Sequence, residues 1–473
     1  MRKQLSFPTR SSRLALLATS LGFVLICLDV TVVNVALARM RDSLNLDSTA
    51  LEWVVNAYTL AFASFLLSAG ALADRFGARR IFAAGFAVFT CASVGCGLSA
   101  GAAMLIAARG LQGIGAALCV PSSLALLGAA FPDPQARAKA VSIWAGTAAL
   151  ALGAGPLVGG VLVDRFGWPA IFLINVPIGV AGIWLTVAHA PDTKGHAARR
   201  IDLAGQTLAV IALVGLTYAV VESGRRGWTG MTVLAGLAVA VVAGGLFVMV
   251  EARHAEPVLP LALFRHAAVN VSALTGLSLN FGYYGLMFAM SLFFQSARHD
   301  TPLETGLAFL PMTAVVTVAN VASGSLTARF GYRLPMVVGQ ALAALGYLSL
   351  AFVRVDSSAL AVALPLLMVG VGVALAVPSI NTAVLTHVDP SWMGIASGVL
   401  NTARQIGGVL GVGLFGALVR PEFDDLAEGL HHAAILAALV TLASLVSIVL
   451  GLRTSGSIVT DDRARRLSSS PRE

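Results

Sequence analysis

Long apolar runs separated by short polar breaks divide the chain into fourteen stretches. They fall at about 14–38, 52–73, 81–100, 103–128, 138–163, 170–190, 202–221, 231–251, 268–294, 304–328, 334–353, 359–386, 394–419 and 432–452. A helix rises 1.5 Å per residue, so about 20 apolar residues cross the hydrocarbon of a bilayer. Each run reaches that length. Glycine, proline and charged residues gather in the breaks, as expected at a membrane interface. The pattern predicts an all-α polytopic membrane protein of fourteen spans, with no sizeable soluble domain.

Composition agrees. Of 473 residues, 57% are hydrophobic and only 11% are charged, where soluble domains carry about 25% charged residues. The net charge of +8 does not point to nucleic acid. The basic residues fall in short groups between apolar runs and are not interleaved with aromatics. They report topology instead. Most of the 31 Lys and Arg lie on the side of the N-terminus, among them Arg2, Lys3, Arg75, Arg79, Arg80, Arg137, Lys139, Lys194, Arg199, Arg200, Arg329, Arg333 and Arg453. The positive-inside rule then places both termini in the cytoplasm and the chain in the cell's inner membrane. Met1-Arg2-Lys3 and the apolar run from Leu14 resemble a signal peptide, but the run is too long and holds Asp29, so it reads as a retained first span. Cys27, Cys91, Cys96 and Cys119 lie inside apolar runs without metal or disulfide spacing. His189, His254, His266 and His387 also lack ligand spacing. Neither metal nor cofactor is expected.

An internal repeat sets the architecture. Gly70-Ala-Leu-Ala-Asp74-Arg75-Phe76-Gly77 returns three spans later as Gly160-Val-Leu-Val-Asp164-Arg165-Phe166-Gly167. Three spans reverse the chain direction, so the two copies form an inverted repeat. A third, degraded copy, Gly324-Ser-Leu-Thr-Ala328-Arg329-Phe330-Gly331, comes about two spans later than a simple doubling allows. The expected plan is 6+2+6. A cytoplasmic N-terminus occupies 1–13 and a six-helix bundle 14–190. A linker with two extra spans covers 191–267, a second bundle 268–452, and a cytoplasmic tail 453–473.

Four stretches carry candidate chemistry. Asp29, in Leu28-Asp29-Val30-Thr31-Val32-Val33-Asn34, sits deep in the first apolar run. A charge there costs on the order of 2.5–3.5 kcal/mol, which makes function the default suspect. Arg109, in Leu105-Ile-Ala-Ala-Arg109-Gly-Leu-Gln112, lies about two turns into the fourth run and stays protonated. The Gly70–Arg80 loop holds Asp74, poised to cap or pair at the start of the next helix, and Arg75, Arg79 and Arg80, which reach acids or phosphates. The fifth run holds Gly153, Gly155, Pro156, Gly159 and Gly160: small residues for close packing and a proline expected to bend the helix.

Together these stretches resemble the fourteen-helix drug:proton antiporter family of the major facilitator superfamily, along essentially the whole chain. The loop resembles the superfamily signature, with Gly70, Asp74, Arg75, Gly77, Arg79 and Arg80 as its gating residues. The Arg109 segment resembles the proton-coupling motif of the fourth helix. The Gly153–Gly160 segment resembles the antiporter motif of the fifth. Trp53-Val-Val-Asn-Ala-Tyr58 and Asn401-Thr-Ala-Arg404-Gln405-Ile-Gly407 are similar to methylenomycin-resistance-type exporters. The third loop copy departs from the pattern, with Ala328 at the acid position.

The resemblance implies a major facilitator fold and a monomeric exporter of a drug or antibiotic, embedded in lipid and driven by protons. Asp29 would exchange the proton and Arg109 would modulate it. Burial favours a neutral carboxyl and a neighbouring guanidinium a charged one, so alternation between the two settings moves a proton. The expected cavity lies at the midplane between the halves. Candidate lining residues are Asn34, Trp53, Asn56, Tyr58, Gln112, Asn280, Tyr283, Tyr284, Asn320, Asn401, Arg404 and Gln405. A single acid at Asp29 suits monovalent cations or neutral compounds. The alternative reading is a symporter or facilitator for a small metabolite, which the Gly-Pro helix argues against. A membrane enzyme is disfavoured, since the chain has no catalytic metal or nucleotide motif.

Overall fold

Polar side chains open several of the helices, and glycines close those that end at Phe76, Phe166, Arg226 and Phe330. In a computed structural model, which describes residues 10–193, 202–253, 261–388, 393–419 and 426–452, fifteen α-helices and no strand occur among the described residues. The first seven are α1 (Arg10–Leu44), α2 (Ser48–Phe76), α3 (Ala78–Gly97), α4 (Ala102–Ala130), α5 (Pro134–Phe166), α6 (Ala170–Leu173) and α7 (Asn175–His189). A hairpin follows, α8 (Leu203–Arg226) and α9 (Met231–Arg253). The last six are α10 (Ala267–Leu292), α11 (Pro302–Phe330), α12 (Arg333–Leu350), α13 (Ala359–His387), α14 (Met393–Leu418) and α15 (Leu426–Gly451). Asp47, Asp133 and Asp202 accept from the backbone N–H groups of Ala50, Ala136 and Gly205 at 2.7–2.8 Å and so start α2, α5 and α8. Thr301 and Glu304 cap each other's backbone at the start of α11. Each such cap stabilises its helix by about 1 kcal/mol.

The three sequence copies share one backbone device. α2, α5 and α11 end at Phe76, Phe166 and Phe330, and the next residue is Gly77 (φ +92°), Gly167 (φ +79°) or Gly331 (φ +75°). A side chain is strained at such angles, so glycine ends the helix there. Arg75 sits 5.5 Å over the Phe76 ring, and Arg329 5.2 Å over Phe330. The N-cap of α3 is Gly77, which has no side chain to cap it.

Among the described residues, twelve helices are long and apolar enough to cross a membrane. α2 is a thirteenth when its two segments, Ser48–Leu66 and Ser68–Phe76, count as one span bent by 53°. α6 and α7 together make a single span, Ala170–His189. α14 is not in that set, because Asn401, Thr402, Arg404 and Gln405 interrupt its apolar run. Of the basic groups used to orient the chain, Arg2, Lys3, Lys194, Arg199, Arg200 and Arg453 lie outside the described residues, as does His254.

Packing repeats between the two ends of the chain. α1 packs on α5 and α7, α2 on α4, and α3 on α4 and α7. In the same pattern α10 packs on α14 and α15, α11 on α13, and α12 on α13 and α15. The α8–α9 hairpin leans on α2 and α14. The two halves meet through α5 with α11, α2 with α14, and α1 with α10.

These contacts favour one end of the molecule. Calling the face that holds Arg10 proximal and the face that holds Leu44 distal, the bonds from α10 to α1 are distal. Ser291 donates to the Asn34 carbonyl, and Gln295 donates to the Val35 carbonyl at 3.0 Å. Gly160 of α5 abuts Pro302 and Leu303 at the distal start of α11. Towards the proximal face, α5 and α11 each present a glycine to open space. A Cβ added at Gly146 or at Gly324 meets nothing within 4 Å. α5 and α11 thus meet at their distal ends.

Candidate translocation site

A buried polar network surrounds Asp29. The carboxylate is fully buried on α1, and Oδ2 accepts from Arg109 Nη1 of α4 in an ion pair sealed from solvent. Oδ1 accepts from Gln112 Nε2 at 3.2 Å and from Asn175 Nδ2 of α7 at 3.3 Å. Gln112 and Asn175 also share Ser93 Oγ of α3, at 2.8 and 3.3 Å. Arg109 and Gln112 are one helical turn apart and project together. Arg109 Nη1 donates to Gln112 Oε1 at 2.9 Å, and Nε donates to the Val54 carbonyl of α2 at 3.1 Å. One network thus ties α1, α2, α3, α4 and α7. Such a pair persists in low dielectric only when its remaining donors and acceptors are satisfied.

Arg109 also faces outward from this network. Its guanidinium carbon lies 4.4 Å from the Tyr58 ring centre and 5.8 Å from that of Phe172. Tyr58 and Arg109 line a narrow cavity of about 10 Å³ between the halves, whose wall also includes Asn34, Thr59, Tyr284 and Gly408. Asp29 is not in the wall; it lies behind Arg109. The arrangement can hold a proton at Asp29 only by breaking the ion pair, and that frees a guanidinium beside the cavity.

The expected cavity residues divide into groups. Asn34, Tyr58 and Tyr284 line it. Gln112 belongs to the Asp29 network instead. Tyr283 packs edge-on against Tyr284 and is buried in the core of the second half. Arg404 and Asn280 form their own pair, with Nε donating to Oδ1 at 3.4 Å. Asn401 donates to the Ser397 carbonyl of its own helix at 3.0 Å. Trp53, Asn320 and Gln405 are half-buried and Asn56 is buried, all outside the cavity wall.

Helix α5 brings its small residues against two partners. A Cβ at Gly155 would fall 1.8 Å from Thr31 Oγ1 of α1, and one at Gly159 would fall 3.0 Å from Val32. Gly160 approaches the Pro302 carbonyl of α11, while the Pro156 carbonyl lies 2.5 Å from the Cβ position of Gly306. One face of α5 thus seats against α1 two residues past Asp29, and another against α11. Gly153 is half-buried. α5 runs as a single helix through Pro156.

Residues 19–412 match the sequence profile of the Major Facilitator Superfamily. The chain belongs to that superfamily. Among curated relatives, the Mycobacterium tuberculosis protein named "Multidrug resistance protein Stp" is 39% identical over 410 residues, covering 87% of this chain and 76% of the relative. The "Methylenomycin A resistance protein" of Streptomyces coelicolor is 38% identical, covering 91% and 89%. The "Tetracenomycin C resistance and export protein" of Streptomyces glaucescens is 33% identical, covering 87% and 76%. Among solved structures, an inward-facing, occupied bacterial homologue of the lysosomal transporter Spinster aligns with a TM-score of 0.68 at 17% identity, covering 95% of this chain and 98% of that one.

The superfamily's loop signature sits at the proximal face. Asp74, Arg75 and Arg80 are exposed there, whereas Arg79 is half-buried. Gly70 leaves room beside Pro121 of α4. The Arg79 backbone N–H donates to Thr193 Oγ1 at 3.3 Å, and the Thr193 carbonyl occupies the space a Gly77 side chain would need. The segment after α7 therefore docks on the loop. Sequence reasoning missed Asn175 and Ser93. A lone Asn at the break between α6 and α7 was the available signal for the first; Ser93 gave none.

Proposed function

We propose that the chain is a proton-coupled exporter of small toxic compounds in the cytoplasmic membrane, a transporter rather than an enzyme. The proximal face is cytoplasmic, and both termini lie on that side. α1–α7 and α10–α15 act as two six-span bundles, α8–α9 are two added spans, and a monomer suffices for transport. The observation that carries the reading is the sealed Asp29–Arg109 pair beside a cavity between the halves. Relatives of similar length named for multidrug, methylenomycin and tetracenomycin resistance support export as the direction.

In the cycle, a proton reaching Asp29 from outside dissolves the ion pair and releases α1 from α4. Arg109 then turns towards the cavity. The halves rock about their contacts, with α5 gliding on α1 and α11 by its small residues. The Gly70–Arg80 loop latches the cytoplasmic side when it closes. Each proton entering down 100 mV supplies about 2.3 kcal/mol. The test is drug susceptibility of a pump-deficient host expressing the chain, with and without a protonophore. Protection that the protonophore abolishes supports the reading; protection that persists without a proton gradient overturns the coupling.

A further inference from the structure

Arg404 is a second arginine among the spans, half-buried where Arg109 is fully buried. It stands near the middle of α14, about level with the midpoint of α10, far from either headgroup region. Its stem lies over Gly276 of α10, where an added Cβ would fall 2.8 Å from Arg404 Cγ. Glycine there makes the groove that holds the stem. Nε is oriented by Asn280 Oδ1. One turn along α14, Gly408 lies against Tyr284 of α10 and Thr59 of α2, all three in the cavity wall. The guanidinium thus sits at the seam between the halves, one turn from Gly408 in the cavity wall.

Among the described residues, Arg404 has no ion-pair partner. Arg109 is matched by Asp29. The buried acid Glu52 packs on Gly416, three turns further along α14 and about 18 Å away. Among the described residues, the seam therefore holds a positive charge with no acid paired to it. A guanidinium in low dielectric needs an anion, and its fork suits a carboxylate.

We propose that Arg404 is the counter-ion for an anionic group, a carboxylate or an enolate, on the exported compound. The proposal rests on the export reading and sharpens it: anionic compounds are favoured over the cations and neutral compounds that a lone acid at Asp29 suggests. Gly276 and Asn280 position the guanidinium, and Tyr284 contributes an aromatic wall for the body of the compound.

The experiment sorts a panel of small aromatic antibacterials into carboxylates, neutral compounds and quaternary ammonium ions. Each is tested against a pump-deficient host expressing the full chain, Arg404→Gln or Arg404→Lys, with membrane levels matched by immunoblot. Protection concentrated in the carboxylates, reduced about tenfold or more by Arg404→Gln and partly kept by Arg404→Lys, supports the proposal. Protection confined to cations or neutral compounds overturns it while leaving export standing. Equal loss of every class in Arg404→Gln also overturns it and makes Arg404 a structural residue. No protection against any compound overturns the export reading, and the anion assignment with it.

Discussion

The guanidinium of Arg109 lies 4.4 Å over the Tyr58 ring while it holds the carboxylate of Asp29 on its other side. The arginine is a partition: cavity on one face, buried carboxylate on the other. Removing it strands a buried carboxylate, which costs about 3–5 kcal/mol. Arg109→Gln should abolish coupled export and lower the melting temperature of the purified protein. Adding Asp29→Asn to it should recover part of that melting temperature without restoring export. A thermal melt of the single and double variants checks the sign.

Gln112 bonds to Asp29, Arg109 and Ser93 at once. Gln112→Leu leaves several buried polar atoms unmatched, at about 1–3 kcal/mol each. Export should fall at least tenfold, with a visible loss of thermal stability. Asn175→Leu, which loses only the two 3.3 Å contacts to Asp29 and Ser93, should fall less. Initial rates of drug efflux rank the two.

Gly155 and Gly146 lie on the same helix and should respond in opposite ways. A methyl at Gly155 collides with Thr31, whereas one at Gly146 meets open space. Gly155→Ala should impair export by pushing α5 off α1 two residues past Asp29. Gly146→Ala should leave it near wild type. Comparable defects in both would contradict the packing described for α5.

Gly77 combines a φ of +92° with the Thr193 carbonyl where a side chain would go. Gly77→Ala should therefore loosen the loop from the segment after α7, with a backbone cost of roughly 1–2 kcal/mol. Protease cleavage at this loop in membrane vesicles should speed up relative to wild type.

Much of this was legible in the sequence because charge is conspicuous in an apolar run. Asp29 and Arg109 stand out on cost alone, and the structure joins them. The loop repeat was legible because its glycines obey a backbone rule that holds at Gly77, Gly167 and Gly331 alike. Neutral polar residues were not. Asn401 and Asn34 have the same composition signal, and each donates to the carbonyl four residues back in its own helix, yet the second lines the cavity and the first does not. The facing direction of a helix is set by its neighbours, which one chain's pattern does not encode. The bend in α2 between Leu66 and Ser68 likewise has no proline to announce it.

In the proposed cycle Asp29 carries the proton that drives export. The most direct test is proton flux in liposomes that contain the purified chain, using a compound the wild type exports. Addition of that compound should release protons from the wild type and none from Asp29→Asn, which should also fail to accumulate the compound against a gradient. Substrate-driven proton movement of wild-type size in Asp29→Asn would contradict the account.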